Sequence, residues 1–328
     1  NLLNLVSKYT ARINNRCIAM PNLEVPITSS KLAKNYLKEI KNSLLDLDLN
    51  VLIPCYLTDN LDTKDFRKSL VENIFIGAKL YPYNVTTNSE FGISNIEKIF
   101  PLLEILEETG KYLLIHGEKI FDNIDIFDRE KYFIDDELIL IRKKFPKLNI
   151  ILEHVSSKYG ADFVAQNHNI AGTITPQHML LTKKDVFIKD DINPHNYCMP
   201  IVKNEEDLIA LRKYACSGNS NFFLGTDSAP HEIIYKSLSS NTKPGIFSAP
   251  CSIELYAEIF EQENSIENLE YFASINGPKY YKLPINNNKI RLIKQKWKLE
   301  EYSEMNNIKV KNFYGGKELN WKVVYLDI

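Results

Sequence analysis

Cysteine is sparse and unpatterned in this chain. The five residues, Cys17, Cys55, Cys198, Cys216 and Cys251, are odd in number and contain no C-x-x-C pair. That argues against a disulfide framework or a zinc ribbon, and for buried free thiols in a reducing, cytoplasmic setting. Long apolar runs are also missing: none approaches the roughly eighteen residues of a membrane span. No secretory leader is visible, so no membrane partner is expected. Neither charge sign is in excess, since 40 Lys and Arg against 42 Asp and Glu leave a net charge of −2. That balance gives no electrostatic reason to expect a nucleic-acid partner. Internal repeats, low-complexity tracts and Gly/Ser linkers are absent too.

What is present is an ordinary globular composition, 44% hydrophobic and 25% charged, over 328 residues. That length buries a large core, and an α/β barrel routinely uses it as one unit. Four short apolar runs each end near a side chain able to bind a metal. They are Lys79 in Gly77-Ala78-Lys79-Leu80-Tyr81-Pro82, His116 in Leu113-Leu114-Ile115-His116-Gly117-Glu118, His154 in Ile151-Leu152-Glu153-His154, and Asp227 in Phe223-Leu224-Gly225-Thr226-Asp227. Candidate strands fall at 16–20, 51–57, 75–81, 112–116, 150–154, 170–175 and 222–227. Helical patterns occupy 2–11, 30–45, 63–73, 95–110, 129–145, 158–166, 205–217, 251–262 and 266–274. In 95–110, Ile96, Ile99, Leu102, Leu103 and Leu106 keep helical spacing, Ser94 can cap the start and Gly110 can stop it.

The alternation predicts an α/β fold, a (β/α)8 TIM-type barrel, whose strand ends deliver the site residues to one face. Seven strands are visible and a closed barrel needs eight. The chain opens on a helix and on Asn, so the first strand is expected upstream of residue 1. The barrel is expected over 1–284. A C-terminal extension packing on it is expected over 285–328, built on short alternating runs at 290–293 and 320–324.

His and Asp are ordinary ligands of divalent zinc. Lys79 is the odd member, because an ammonium would be repelled by metal ions. A buried lysine that loses its proton can react with carbon dioxide, and the carbamate is an anion able to bridge two metals. Singly, Lys79 would be a solvated rim residue, each histidine a structural one and Asp227 a turn residue. In register at four strand ends, they point to a hydrolytic metal site.

Further segments carry a resemblance: Met20-Pro21-Asn22-Leu23, Cys55-Tyr56-Leu57-Thr58-Asp59, Thr86-Thr87-Asn88-Ser89 and Asp125-Ile126-Phe127-Asp128-Arg129-Glu130. Thr173-Ile174-Thr175-Pro176-Gln177-His178, Asn193-Pro194-His195, Gly225-Thr226-Asp227-Ser228-Ala229-Pro230-His231 and Asn276-Gly277-Pro278 continue the series. With the Lys79, His116 and His154 runs, they resemble the bacterial, monofunctional dihydroorotases of the amidohydrolase superfamily, in family order from about residue 2 to about residue 284. The resemblance implies zinc-dependent, reversible cyclisation of N-carbamoyl-L-aspartate to L-dihydroorotate in pyrimidine biosynthesis, and a homodimer. It implies two zinc ions bridged by N6-carboxylated Lys79, with His116 and His154 on the second metal. Asp227 would bind the first metal and shuttle the proton. Asn22 and His231 would hold the substrate carboxylate, the Met199 backbone would read the ring edge, and Thr86 and Thr87 would lie on a closing loop.

The family's His-x-His pair and the Arg that follows it have no counterpart in the chain, so at most one well-formed metal site, and an inactive chain as given, are expected. The segment 236–245 departs from the family's Cys/Gly/Ala-rich loop and receives no contact. His178 and His195 are expected to hydrogen-bond near the site without chemistry, and His168 to be exposed. Two alternatives stay open: another cyclic amidohydrolase of hydantoinase or allantoinase type, and a non-catalytic barrel scaffold.

Overall fold

The computed structural model describes residues 2–44, 47–121, 123–189, 191–236 and 242–325. Residues 237–241, half of the divergent 236–245 segment, therefore lie outside the described residues. Strands β1 (Arg16–Ile18), β2 (Asn50–Leu52), β3 (Cys55–Tyr56), β4 (Gly77–Leu80), β5 (Tyr112–Ile115), β6 (Asn149–Leu152) and β7 (Ile170–Ile174) follow one another, with helices between all but β2 and β3. A small antiparallel pair, β8 (Phe187–Ile188) and β9 (Asp191–Ile192), precedes β10 (Phe222–Leu224).

The sheet is parallel and its order is β10-β7-β6-β5-β4-β3, with β1 paired to β2. Strands β2 and β3 are one predicted run interrupted at Pro54, which has no N–H to give a ladder. Leu52 still pairs with Ile18 on one side of the break and Tyr56 with Lys79 on the other. The fold is thus a parallel α/β sheet. Its outer edges, β1 and β10, are not paired to each other among the described residues, so ring closure is not seen.

Period-two alternation divides the core. Lys79 lies opposite Leu114, and Leu114 opposite Ile151, on the inner face. Leu114, Ile151, Ala171 and Phe223 fill that interior with Tyr112 and Tyr281. Leu80, Leu113, Ile115, Ile150 and Leu152 point outward into the larger core beneath the helices. Both faces of the strands are buried, which is why they read as unbroken apolar runs.

The helices stand near their expected places with two physical differences. Asn95, not Ser94, caps the 95–110 segment, accepting from Glu97 N at 2.8 Å. Ser94 instead donates to Asp59 at 2.6 Å. The segment predicted over 129–145 is helical from Arg129 to Lys144 but carries a π-helical turn at Ile134–Leu138.

After the sheet, β11 (Ile290–Lys298) pairs with β14 (Glu318–Tyr325), and β12 (Tyr302–Met305) with β13 (Ile308–Lys311). This part packs on the helix Ser252–Gln262, where Trp321 Nε1 donates to Glu261 at 3.0 Å. No helix among the described residues is long and apolar enough to cross a membrane.

Candidate active site

Lys79 enters the site from β4 with 1% of its surface exposed. Its ammonium pairs with the carboxylate of Glu153 and lies 5.0 Å from the centre of the Tyr81 ring. His116 is the first residue beyond β5, and its Nε2 lies 2.8 Å from the fully buried Glu118 carboxylate. His154 follows β6 by two residues with φ at 42°, a left-handed turn held by its N–H donating to Thr173 Oγ1 at 2.7 Å. The two imidazole rings are 4.6 Å apart.

Burial depresses the pKa of both histidines, that of His154 strongly, with His116 and Lys79 adding to the effect there. Both rings are therefore neutral at pH 7, the form that ligates metals. His154 Nδ1 is buried without a hydrogen-bond partner. An imidazole backed by a carboxylate, beside another with a free buried nitrogen, is a donor set suited to a metal ion.

Asp227 stands three residues beyond β10, also with a φ of 42°. The residue as a whole is partly exposed, yet its carboxyl group is set into the strand-end face. Burial there pushes its pKa up to about 6; Lys79 opposes that rise and Glu153 adds to it. Gly225 lets the chain reach this place, since a Cβ there would lie 2.5 Å from Thr173 Cβ. Lys79, Glu153 and Asp227 thus share one electrostatic field. Among the described residues, however, no three His, Cys, Asp or Glu side chains stand in metal-ligand geometry.

The expected substrate residues fall into two groups. Asn22 Oδ1 accepts from the Tyr81 hydroxyl at 2.9 Å, and Asn22 Nδ2 donates to the Thr87 carbonyl at 3.0 Å. Asn88 returns a bond to the Asn22 carbonyl at 2.9 Å, while Thr86 is bracketed by Ser89. Asn22, Thr86 and Thr87 are therefore one connected unit beside Tyr81.

Met199 and His231 form the second group. The carbonyl of Pro200, next to Met199, accepts from His178 Nε2 at 2.9 Å, and His178 Nδ1 meets Thr175 Oγ1 at 2.7 Å. His231 Nε2 donates to the Pro244 carbonyl at 2.9 Å, and burial pushes its pKa down to about 4. Glu153, Glu118 and Tyr81 were not singled out from the sequence. Their signal was adjacency alone: each lies within two residues of a predicted ligand.

No family model matches the chain. Among curated relatives, dihydroorotase from Buchnera aphidicola subsp. Schizaphis graminum is 41% identical over 98% of this chain and 93% of its own length. Dihydroorotase from Yersinia pseudotuberculosis is also 41% identical, over 98% and 92%. The chain belongs to the dihydroorotase family. It is a cyclic amide hydrolase of pyrimidine biosynthesis.

Solved dihydroorotases agree. The Saccharomyces cerevisiae enzyme, in complex with 5-fluoroorotic acid, superposes with a TM-score of 0.90 at 29% identity, over 98% of this chain and 93% of that one. The Campylobacter jejuni dihydroorotase gives 0.88 at 32% identity, over 98% and 91%. The L-hydantoinase of Arthrobacter aurescens shares only the fold, with a TM-score of 0.80 at 15% identity, over 97% and 76%. Dihydroorotases are generally metalloenzymes, and the His116–Glu118 and His154 arrangement fits that chemistry.

Proposed function

We propose that this dihydroorotase interconverts N-carbamoyl-L-aspartate and L-dihydroorotate at a zinc pair held by Lys79, His116, His154 and Asp227. Lys79 would act as the N6-carboxylated bridge. The observation that carries this is the arrival of Lys79, His116 and His154 at one end of the parallel sheet, with a buried, unpartnered nitrogen on His154. When bound, zinc supplies Lewis acidity to the ring carbonyl and lowers the pKa of attacking water.

The remaining chemistry belongs to side chains. The Lys79 ammonium would first lose a proton, and addition of carbon dioxide to the resulting amine would release a second; a cation is thereby replaced by an anion, so Glu153 would give up its ion pair. Glu118 fixes the His116 ring by accepting from Nε2, which leaves Nδ1 as the ligating atom. In the hydrolytic direction Asp227 takes the proton of the attacking water. It then passes that proton to the leaving ring nitrogen, a base that becomes an acid.

Asn22 and His231 would hold the substrate carboxylate, and the Met199 backbone the ring edge. The loop of Thr86 and Thr87 would exclude water from the ring. Because Asn22 already bonds to the Thr87 carbonyl, carboxylate capture and loop placement are coupled. The yeast relative's complex with 5-fluoroorotic acid supports a carboxylate-bearing pyrimidine as ligand. The same reading carries a TIM-type barrel fold over 1–284, an extension at 285–328, a cytoplasmic setting and a homodimer.

The test is hydrolysis of L-dihydroorotate and of hydantoin by zinc-loaded protein expressed from its full coding sequence, beside Lys79→Ala. Turnover of dihydroorotate alone, lost by orders of magnitude in Lys79→Ala together with bound zinc, is the expected result. Normal activity and zinc content in Lys79→Ala would sink the mechanism. Turnover of hydantoin alone would move the substrate assignment.

A further inference from the structure

Behind His231 and the Met199 loop stands a cation that the reaction as described does not use. Lys236 is 6% exposed. Its ammonium donates to three main-chain carbonyls: Gly245 at 2.8 Å, Lys243 at 2.9 Å and Tyr197 at 3.3 Å. Among the described residues no carboxylate pairs with it, although most lysine ion pairs of this protein are exposed and easily made. Burying an ammonium without a counter-charge is costly, and packing alone would be served better by an apolar side chain.

The three carbonyls come from two segments. Tyr197 precedes Met199 by two residues, whereas Lys243 and Gly245 flank Pro244, the acceptor of His231 Nε2. The segments are joined by Gly245 N donating to the Tyr197 carbonyl at 2.9 Å. Ala229 N donates to the Ile246 carbonyl at 2.9 Å, fastening the second segment to the loop between Asp227 and His231. Gly245 is required there, since its φ is 145° and a Cβ would lie 2.4 Å from the Ala229 carbonyl oxygen. Lys236, His195 and His231 line one small cavity with Lys311, whose own ammonium pairs with Glu301. That leaves Lys236, among the described residues, as a buried charge with no anion of its own.

We infer that Lys236 is a positioning residue for the carboxylate end of the substrate. It clamps Tyr197, Lys243 and Gly245 so that His231 and the Met199 backbone present one fixed surface, and its unmatched charge favours an anionic over a neutral ring. The substrate's identity here rests on the dihydroorotase reading, while the clamp does not depend on the metal.

The test compares wild type, Lys236→Met and Lys236→Arg. It reads binding of orotate and of the neutral ring uracil by calorimetry, and KM and kcat for L-dihydroorotate. In Lys236→Met, orotate affinity should fall and KM rise by about ten-fold or more, the loss expected when a charge-assisted set of hydrogen bonds is removed. Uracil binding and kcat should change less than about three-fold, and Lys236→Arg should recover most of the orotate affinity. Equal losses for orotate and uracil, or unchanged orotate binding, would overturn the inference. If Lys236→Met does not fold, Lys236→Gln is read by the same ratio. A wild type that binds orotate but turns over no dihydroorotate would count against the catalytic reading alone. A wild type that binds neither ring would end both.

Discussion

At the scale of single residues, this site is built by burying groups that would rather be charged in water. His178 is the plainest case. It is 2% exposed, both its nitrogens are engaged by Thr175 and Pro200, and burial pushes its pKa from 6.5 down to about 3. The unfolded chain thus binds this proton below pH 6.5 while the folded one refuses it until about pH 3. The histidine's contribution is therefore fully present above pH 6.5 and lost as pH falls through that window, by up to about 5 kcal/mol. His178→Gln is expected to lower stability at pH 8 yet flatten its decline between pH 6.5 and 4, as measured by urea unfolding across pH. An equally steep decline in the variant would count against it. His178 was legible as a hydrogen-bonding residue from its Thr-Pro-Gln-His segment. Lys79, His116 and His154 were legible because a strand end is a readable place. Glu153 and Glu118 were not, because their partnerships depend on which atoms strand register brings together, and adjacency in sequence does not specify that.

Elements were legible where one period dominates and blurred where a local bond competes with it. Strands β4 to β7 are buried on both faces; β4, β5 and β7 stand inside their predicted ranges, and β6 begins one residue early, at Asn149. The run 51–57 broke at Pro54 because a missing N–H outweighs apolar continuity. The cap of the 95–110 segment shows the finer limit. Ser94 and Asn95 are both good capping residues, and only the structure reveals that Asp59 draws Ser94 away while Asn95 meets Glu97 N. Asn95→Ala should therefore cost about 1 kcal/mol. Ser94→Ala should cost less, since its bond to Asp59 is exposed and Lys98 still pairs with that carboxylate at 2.7 Å. Chemical denaturation of the two variants decides it, and a larger loss from Ser94→Ala would show the cap to be misassigned.

At the scale of the whole molecule, the helix Ser252–Gln262 gathers both ends of the described chain onto the sheet. From one side, Arg12, just beyond the helix Leu2–Ala11, makes two bonds of 2.8 and 2.9 Å to Glu254 and a third of 3.0 Å to the Pro250 carbonyl. From the other, the main chain of Asn320 donates to Glu258 at 2.5 Å and Trp321 reaches Glu261. Nothing in the sequence announced this convergence, because Arg12 and Glu254 are 242 residues apart and each looks like an ordinary helix-surface charge. Glu254 is fully buried, and the Arg12 side chain is 22% exposed. Removing the carboxylate leaves a largely desolvated guanidinium, the situation in which breaking an ion pair costs most. Glu254→Ala is expected to destabilise the protein by about 3 kcal/mol. Limited proteolysis should then cleave first within residues 2–12, because the lost bonds are the ones that fasten that helix to the sheet. Arg12→Met should cost at least as much, since it leaves the fully buried Glu254 carboxylate without that partner. If both variants unfolded at the wild-type urea concentration with an unaltered cleavage pattern, the Arg12–Glu254 pair would be incidental, and the helix 2–11 would be held by its apolar packing on Phe247, Ala249 and Val310 and by the Ser7–Ser43 bond.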